Sequence, residues 1–301
     1  MTDASANRRG ILAMIGSSAC FAANDACTKI AAKSLPSSEI VAIRGFFTLL
    51  FAFAIIVVRR ELVHIWRAAD RTVMLRALAE SLAGFLIIIA LGLMPLANVI
   101  AILLVQPFLL TIAAVVMFKE AVGWRRWTAV SVGFLGMLLV VKPATDAFEM
   151  VSLVAVTAAF MTVFRDLLTR RIGPEVPTMV ITLASAGVGI VVGALGAAAE
   201  SWKTPDVLAI AVVALAAAFI MLAFIFIIIA FRGTEVSAVA PFRYTIVVFA
   251  VVFGIVLFAE IPDTFSFTGM ALIVGAGLYM LHRETVLRRQ ARTPKAVPAE
   301  D

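Results

Sequence analysis

Apolar residues in this chain gather into ten long runs, separated by short polar or charged segments. The runs cover residues 10–31, 38–58, 72–93, 97–117, 124–141, 147–169, 176–199, 206–230, 236–258 and 264–282. Most of them reach the roughly 20 residues that a helix needs to cross the hydrocarbon layer of a membrane, and the fifth and tenth are the shortest. None alternates like a membrane β-strand, so we predict an all-α polytopic membrane protein with ten transmembrane helices.

The pattern of runs occurs twice along the chain. The stretch LAGFLIIIA at residues 82–90 returns as LAFIFIIIA at 222–230. Polar residues recur at nearly the same offset, in the pairs Asp25 and Asp166, Thr28 and Thr169, Glu120 and Glu260. A unit of about 140 residues has therefore been duplicated. We expect a first five-helix repeat over residues 1–145, a second over 146–282, and a polar, proline-containing, disordered cytoplasmic tail over 283–301.

Each repeat contains five crossings, which is an odd number. The second repeat therefore starts on the side of the membrane where the first one ends, and it has the opposite orientation. Such inverted repeats are related by a pseudo-two-fold axis in the membrane plane. Many secondary transporters use this arrangement to place a substrate site near the middle of the membrane and to open it to either side in turn.

Composition and charge support a membrane location. Hydrophobic residues make up 63% of the chain, well above the share in soluble domains. Most lysines and arginines, Arg76 and Arg165 among them, fall in the segments that share a side with the N-terminus, and this bias predicts that both termini are cytoplasmic. The net charge of +6 then faces an anionic leaflet, so it requires no nucleic-acid partner. We predict a multi-pass protein of the plasma membrane, of the bacterial inner-membrane type.

The first run of each repeat carries charged residues four positions apart. Asp25 and Lys29 have this spacing in the first repeat, and Asp166 and Arg170 have it in the second. Residues four apart lie on one helix face, so we expect two structural ion pairs. Asn24 and Thr28 lie on an adjoining face that pairing does not explain. We therefore expect them to contact a substrate.

Three further charged residues lie inside runs, where ionisable groups are costly and need partners. Arg44 lies at a depth comparable to Asp25, and Glu80 lies at a depth comparable to Arg243, so each pair can form an ion pair. The two arginines either line a central cavity or serve only as structural partners; guanidinium groups suit carboxylates and phosphates. Pairing with Arg243 would keep Glu80 charged, which favours a structural or substrate-facing role over proton transport.

Neutral and aromatic residues complete the predicted substrate site. Gln106 and Tyr244 offer hydrogen bonds, and Phe46, Phe85 and Phe164 offer apolar walls, although a packed or lipid-facing phenylalanine needs no substrate. Pro107 and Pro241 lie within runs four and nine and should kink them. Glycines in later runs predict close helix packing. These glycines are Gly133, Gly136, Gly189, Gly193, Gly275 and Gly277.

Several segments resemble a known family. They are NDACTK in the first run, QPFLLTIAAVVMFKE at the end of the fourth, and APFRYTIVVFAVVFGIVLFAE in the ninth. Over residues 10–282 the chain resembles the EamA-type branch of the drug/metabolite transporter superfamily. The resemblance implies ten helices in two inverted repeats, a central cavity formed mainly by runs 1, 3, 4, 6, 8 and 9, and alternating-access transport of small metabolites, often export. It places Glu120 and Glu260 at helix ends, in a structural role.

These observations predict a secondary transporter of amino acids or similar small metabolites, with export as the expected direction. The alternatives are export of cationic drugs, uptake of a nucleoside-like metabolite or, outside transport, a channel or membrane scaffold subunit. The two histidines, His64 and His282, lie at run ends, and no cluster of metal ligands or nucleophiles accompanies them. We therefore predict no enzymatic activity and no cofactor or metal. The expected partners are a small-molecule substrate and the lipid bilayer, and the expected assembly is a monomer or weak dimer.

Overall fold

The computed structural model describes residues 4–118, 123–141, 150–169, 171–173, 175–231 and 239–292, and no strand occurs in these ranges. The α-helices are α1 (Ala4–Ala31), α2 (Ser37–Val58), α3 (Arg71–Leu93), α4 (Leu96–Leu103), α5 (Gln106–Phe118), α6 (Trp124–Val141), α7 (Val151–Thr169), α8 (Thr178–Gly196), α9 (Val207–Phe231), α10 (Ile246–Phe258) and α11 (Thr264–Arg292). Two 3₁₀ helices, Leu62–Ala69 and Ala240–Thr245, precede α3 and α10.

These helices account for the ten predicted runs. Seven spans are long and apolar enough to cross a membrane, and α4 together with the first part of α5 forms one of them. The other three are the shorter apolar helices Trp127–Val141, Phe242–Phe258 and Thr264–Met280. The prediction of an all-α, repeated membrane fold is confirmed.

Both predicted proline sites interrupt their runs. The fourth run divides into α4 and α5, and α5 begins at Gln106, immediately before Pro107. A proline cannot donate a backbone hydrogen bond, and its ring disfavours the helical conformation of the residue before it. In the ninth run, Pro241 lies in the 3₁₀ helix that leads into α10. The chain therefore has non-α backbone in the fourth crossing of each repeat.

Helix packing follows the two-fold symmetry that the sequence predicts. If the repeats are superposed, α1, α2 and α3 correspond to α7, α8 and α9. The extensive α1–α9 contact then has the α7–α3 contact as its mate, and the α3–α8 contact has α9–α2 as its mate. The α2–α8 and α6–α11 contacts map onto themselves. Contacts that map onto themselves lie on the pseudo-two-fold axis.

Glycines permit these axial helices to approach closely, as predicted. A Cβ atom built on Gly136 would lie 2.7 Å from the carbonyl oxygen of Gly269, where α6 crosses α11. A Cβ on Gly193 would lie 2.6 Å from the carbonyl oxygen of Ser38, where α8 crosses α2. Neither distance leaves room for a side chain, so these glycines set the spacing of the two crossings.

The predicted disordered tail is wrong over its first part. Helix α11 continues to Arg292, ten residues beyond the predicted end of the tenth run. Leucine, arginine, glutamate and glutamine dominate this extension, and all four have high helix propensity. The remainder of the predicted tail lies outside the described residues.

The bundle has two ends that differ in chemistry. The Lys29 end contains Lys29, the start of α4 and Glu260 after α10. The Arg76 end contains Arg76 near the start of α3 and the end of α7. Helix α1 begins and α11 finishes at the Arg76 end, which agrees with an even number of crossings.

Candidate functional site

Six charged side chains of alternating sign cross the bundle and form what we term the charge row. Its members, in order, are Asp25, Arg44, Glu80, Arg165, Asp166 and Arg243. Each lies within electrostatic range of the next. The first five are half-buried and Arg243 is exposed. Alternation of sign reduces the cost of placing so many ionisable groups inside a membrane protein, because every charge has an opposite neighbour.

The middle of the charge row is tightly bonded. The Glu80 carboxylate accepts from Arg165 at 3.1 Å and from Arg76 at 2.9 Å. Arg165 also binds the neighbouring carboxylate of Asp166 at 2.7 Å. The other donors of Arg76 reach the hydroxyl groups of Ser185 at 2.7 Å and Thr169 at 3.1 Å. This network fixes α3 against α7 and α8 at the Arg76 end.

The outer members of the charge row are loosely held. Neither Arg44 nor Arg243 makes a side-chain hydrogen bond or an ion pair with any residue in the described ranges. Asp25 accepts a hydrogen bond of 2.8 Å from the amide of Asn24, and no cation of the described residues lies within ion-pairing distance of it. Two guanidinium groups are therefore free to bind an anionic group from outside the protein.

A cavity of about 100 Å³ lies between α2, α3, α8 and α9, beside Arg44. Its lining consists of Val41, Arg44, Gly45, Thr48, Arg76, Glu80, Ser81, Gly84, Thr182, Ser185, Ala186, Gly189, Ile220 and Phe224. This volume holds several water molecules but is smaller than the roughly 300 to 1,000 Å³ of typical ligand pockets. A metabolite would therefore require these helices to move apart.

The cavity lies on the pseudo-two-fold axis. Its four α2 residues and its four α8 residues occupy equivalent repeat positions, each 141 residues apart, and Glu80 and Gly84 are equivalent to Ile220 and Phe224 at an offset of 140. The side chains at these equivalent positions differ in chemistry between the two repeats. Arg44 corresponds to Ser185 in the other repeat, and Glu80 corresponds to Ile220. The wall from α2 and α3 therefore carries the charged residues, whereas the wall from α8 and α9 combines the hydroxyl groups of Thr182 and Ser185 with the apolar side chains of Ile220 and Phe224.

A glycine makes room for the guanidinium group of Arg44. A Cβ atom on Gly84 of α3 would lie 3.0 Å from an Arg44 terminal nitrogen. That separation is tighter than an ordinary contact, so a side chain at position 84 would displace the guanidinium group. The absence of a side chain there positions Arg44 in the cavity.

The predicted ion pairs within α1 and α7 differ from those in the structure. Lys29 binds Glu260 at 2.8 Å and donates to the carbonyl oxygen of Met94 at 2.5 Å, so it does not pair with Asp25. Asp166 binds Arg165, and Arg170 lies outside the described residues. Spacing along one helix permits a pair, but a partner on another helix is preferred where it also removes the charge from lipid.

The predicted partner of Glu80 is also wrong. Glu80 binds Arg76 and Arg165, whereas Arg243 lies within electrostatic range of Asp166. Sequence analysis assigned Arg76 and Arg165 to cytoplasmic segments because they lie near the ends of runs. Both instead lie within helices and direct their guanidinium groups inward, which allows them to satisfy a buried carboxylate.

The structure separates the predicted substrate residues into two groups. Arg44 and Glu80 line the cavity. The others lie outside this lining: Asn24, Thr28, Phe46, Phe85, Gln106, Phe164, Arg243 and Tyr244. Of the runs that the family resemblance implied for a cavity, only the third and eighth take part, as α3 and α9.

Local contacts explain why several of these residues are turned away. The Thr28 hydroxyl donates to the carbonyl oxygen of Asn24 at 2.8 Å and is buried. Tyr244 packs onto Gly277, where any Cβ would overlap its hydroxyl group. Phe46 and Phe164 are 56% and 49% exposed, as lipid-facing side chains would be. Gln106 begins α5 at the break in the fourth run.

Sequence reasoning missed Arg76 and Ser185 as cavity residues. A signal for one of them was present, because Ser185 is the repeat equivalent of Arg44. A site on a two-fold axis uses equivalent positions from both repeats, so each predicted site residue indicates that its equivalent in the other repeat is also a candidate.

The Lys29 end is closed by a compact ion-pair site that links the repeats. Glu260 binds Lys29 through one oxygen and accepts the backbone N–H of Leu96, the first residue of α4, through the other at 2.9 Å. The Lys29 side chain is only 8% exposed. The Phe258 ring lies 5.3 Å from the Lys29 ammonium group, close enough for a cation–π contact. A helix-end structural role, expected for Glu260, agrees with these contacts.

Comparisons with known proteins agree with this architecture. The EamA-like transporter family matches the chain twice, over residues 8–142 and 149–281. The S-adenosylmethionine uptake transporter of Rickettsia bellii is 26% identical over 282 residues, which cover 91% of this chain and 92% of that protein. The riboflavin transporter of Rhizobium johnstonii is 25% identical over 229 residues, 75% of this chain and 73% of that protein.

A solved structure confirms the fold. It superposes with a TM-score of 0.62 at 20% identity, covering 94% of this chain and 99% of the other. Two family matches of similar length account for nearly all of the transmembrane region, one for each repeat. The chain therefore belongs to the EamA-like transporter family.

Proposed function

We propose that this small-metabolite transporter carries a substrate with both a carboxylate and an amino group through the cavity on the two-fold axis. The observation that carries the proposal is the division of the cavity into a charged wall and an uncharged wall whose α9 side chains are apolar. Arg44 and Glu80 face the same space as Ile220 and Phe224. A zwitterionic head and an apolar or aromatic body match the two walls.

The charged wall suits a zwitterion better than a simple anion. Arg44 has no side-chain hydrogen bond or ion pair with the part of the chain that the structure describes, and it offers a planar fork to a carboxylate. Glu80 lies near Arg44 and offers a negative charge to an ammonium group, although two arginines already bind it. A cationic drug without a carboxylate would leave Arg44 unpaired, so this wall disfavours the cationic-drug alternative.

S-adenosylmethionine is the first substrate to test. It joins an α-amino acid group to a nucleoside, so it combines the amino acid and nucleoside-like substrates that the sequence predicts. A relative matched over most of both chains carries its name. Phe224, which meets Phe21 edge-on at a ring distance of 5.7 Å, provides an aromatic surface for the adenine ring.

Alternating access is reversible, so net direction follows the gradients of substrate and coupling ion. Export by this chain, driven by an outward gradient of substrate, and a cytoplasmic location of both termini are parts of the proposal. We also propose that a single chain suffices, because residues from both repeats of one chain line the cavity.

The test is uptake and efflux by proteoliposomes containing the purified protein. The panel comprises labelled S-adenosylmethionine, riboflavin, phenylalanine and lysine, each measured over a range of concentrations. We expect saturable flux of S-adenosylmethionine or an amino acid. Flux that does not saturate would indicate a channel, and an absence of flux for the whole panel would contradict the proposal.

Arginine variants connect the flux to the cavity. Arg44→Ala should abolish transport, and Arg44→Lys should keep a small part of it, because lysine retains the charge but loses the two-pronged geometry. Arg59→Ala is the matched control, since Arg59 is an exposed arginine at the end of the same helix, α2. Equal losses in the Arg44 and Arg59 variants would contradict a role of Arg44 in binding.

A further inference from the structure

Asp25 differs from three other acidic residues inside the bundle, Glu80, Asp166 and Glu260. Glu80, Asp166 and Glu260 each bind a basic side chain at 3.1 Å or less. Asp25 is half-buried, and within the described residues its one side-chain bond is with the amide of Asn24. A carboxylate in this position lacks the direct ion pair that would keep it charged in every state.

The surroundings of Asp25 leave Arg44 as the group that decides its charge. Helices α4, α9 and α10 pack against α1 and contribute no titratable residue from their described length. The titratable residues of α1 nearest to Asp25 are Cys20, Cys27 and Lys29, and Lys29 is bound to Glu260. Other elements around α1 contribute Arg44, Arg76, Glu80, Arg243 and Tyr244. Of these, Arg44 acts electrostatically on Asp25.

The amide of Asn24 holds Asp25 in place for this interaction. Its nitrogen donates to Asp25, while its oxygen is buried and has no hydrogen-bond partner among the described residues. A buried amide oxygen without a partner is costly, and a protonated carboxyl group, unlike a carboxylate, can donate to such an acceptor. The Asn24 side chain therefore offers its N–H group to the Asp25 carboxylate and its oxygen to the protonated carboxyl group.

We propose that Asp25 takes up a proton when a substrate carboxylate engages Arg44 and releases it when that carboxylate leaves. Arg44 lies within range of Asp25 and Glu80 and beside the cavity. A carboxylate bound to Arg44 neutralises the positive charge that stabilises the Asp25 carboxylate. Asp25–COO⁻ and one proton then give Asp25–COOH, no other bond changes, and one proton crosses with each substrate. This coupling rests on the proposed function.

The first experiment counts protons on the wild-type protein. Binding of S-adenosylmethionine to the purified protein is followed by calorimetry in two buffers that differ in their heat of ionisation. We expect uptake of about one proton per bound substrate in the wild type, by the charge balance above, and none in Asp25→Asn. Wild-type binding without proton uptake would overturn the inference, whether or not the variant folds.

The second experiment separates coupling from transport. Proteoliposomes are tested for S-adenosylmethionine exchange without a gradient and for uptake under an imposed pH gradient. Asp25→Asn should keep exchange but lose the response to the gradient. Asp206→Asn is the matched control, because Asp206 is an exposed carboxylate that caps α9 and asparagine can replace it there.

The outcomes distinguish the two proposals. If the wild type exchanges substrate and responds to the gradient as strongly as Asp25→Asn does, the proton role of Asp25 is overturned and the proposed function is not. The same conclusion follows if the wild type exchanges substrate but does not respond to the gradient. If the wild-type protein neither binds nor exchanges any substrate of the panel, the proposed function is contradicted, and this inference with it.

Discussion

The Lys29 end and the Arg76 end are both crossed by ion pairs between the repeats, but they are built differently. At the Lys29 end, one lysine faces one glutamate, and the lysine side chain is 8% exposed. At the Arg76 end, one glutamate is shared by two arginines, and its side chain is 30% exposed. The ion pair at the Lys29 end is lost when either residue is removed, whereas Glu80 at the Arg76 end keeps one arginine when the other is removed.

The difference bears on how a transporter opens. A single desolvated pair is a two-state contact, because it is either formed or broken. A shared carboxylate can lose one arginine and keep the other, so its network can loosen in steps. The cavity extends from Arg44 towards Arg76 and Thr182, on the side of the stepwise network. We infer that the Lys29 end is closed in this conformation and that the Arg76 end is nearer to opening.

Removing Glu260 should have the largest effect. In Glu260→Ala, Lys29 remains buried without its partner, which costs about 3 to 5 kcal/mol in the closed state. The free energy of unfolding should fall, and a cysteine at Ala97, which is 3% exposed, should become reactive. Labelling is measured with Cys20 and Cys27 replaced by alanine.

Lys33→Ala is the control for this variant. Lys33 is exposed and lies 5.1 Å from the same Phe258 ring, so its loss should cost little. Similar labelling of the cysteine at position 97 in both variants would remove the distinction between the Lys29–Glu260 pair and an ordinary surface contact.

At the Arg76 end we expect smaller, non-additive effects. Arg76→Ala and Arg165→Ala should each cost about 1.5 to 3 kcal/mol, because Glu80 keeps one charged hydrogen bond. The double variant should cost more than the two single variants together, since it leaves Glu80 without either arginine. The check is a double-mutant cycle on the free energy of unfolding. Strict additivity would show that the two arginines do not share Glu80.

The two unbonded arginines should bias the two ends in opposite directions. Arg44 lies about 10 Å from the start of α2 at the Lys29 end, and Arg243 lies in the 3₁₀ helix at the Arg76 end. Arg44→Ala and Arg243→Ala should both insert into the membrane and lose transport. Labelling at Ala97→Cys and Thr182→Cys should shift oppositely in the two variants. Normal flux, or shifts in the same direction, would leave both arginines as helix anchors.

The smallest effect should come from moving Arg44 without removing it. Gly84→Ala displaces the guanidinium group, at a cost of about 0.5 to 1.5 kcal/mol, which corresponds to roughly a two- to tenfold rise in KM. Gly187→Ala is the control, because nothing lies within 4 Å of a Cβ at that position. An equal KM in both variants would show that the position of Arg44 is unimportant.

Much of the fold could be predicted from the sequence. Ten apolar runs, an odd number of crossings per repeat and two prolines are local features, and they specify spans, inversion and breaks without knowledge of packing. The repeat offset even indicates which positions meet on the two-fold axis, as Arg44 and Ser185 do.

The partners of charged residues could not be predicted in the same way. Lys29 has an aspartate four positions away, yet it binds Glu260, which is 231 positions distant in the sequence. The choice depends on the rotation of α1 about its axis and on which helix lies opposite, and neither leaves a trace in local spacing. Arg165 was missed for the same reason, since closeness to a helix end resembles a cytoplasmic position.

The most direct test of the account is whether substrate occupies the cavity on the two-fold axis. The measurement is the labelling rate of Thr182→Cys, with both native cysteines replaced by alanine, in the presence and absence of saturating S-adenosylmethionine. Substrate should slow labelling at position 182 in a transport-active protein, and Arg44→Ala should remove this protection. Active transport with unchanged labelling at this position would contradict a substrate path through this cavity, because the substrate would then cross elsewhere.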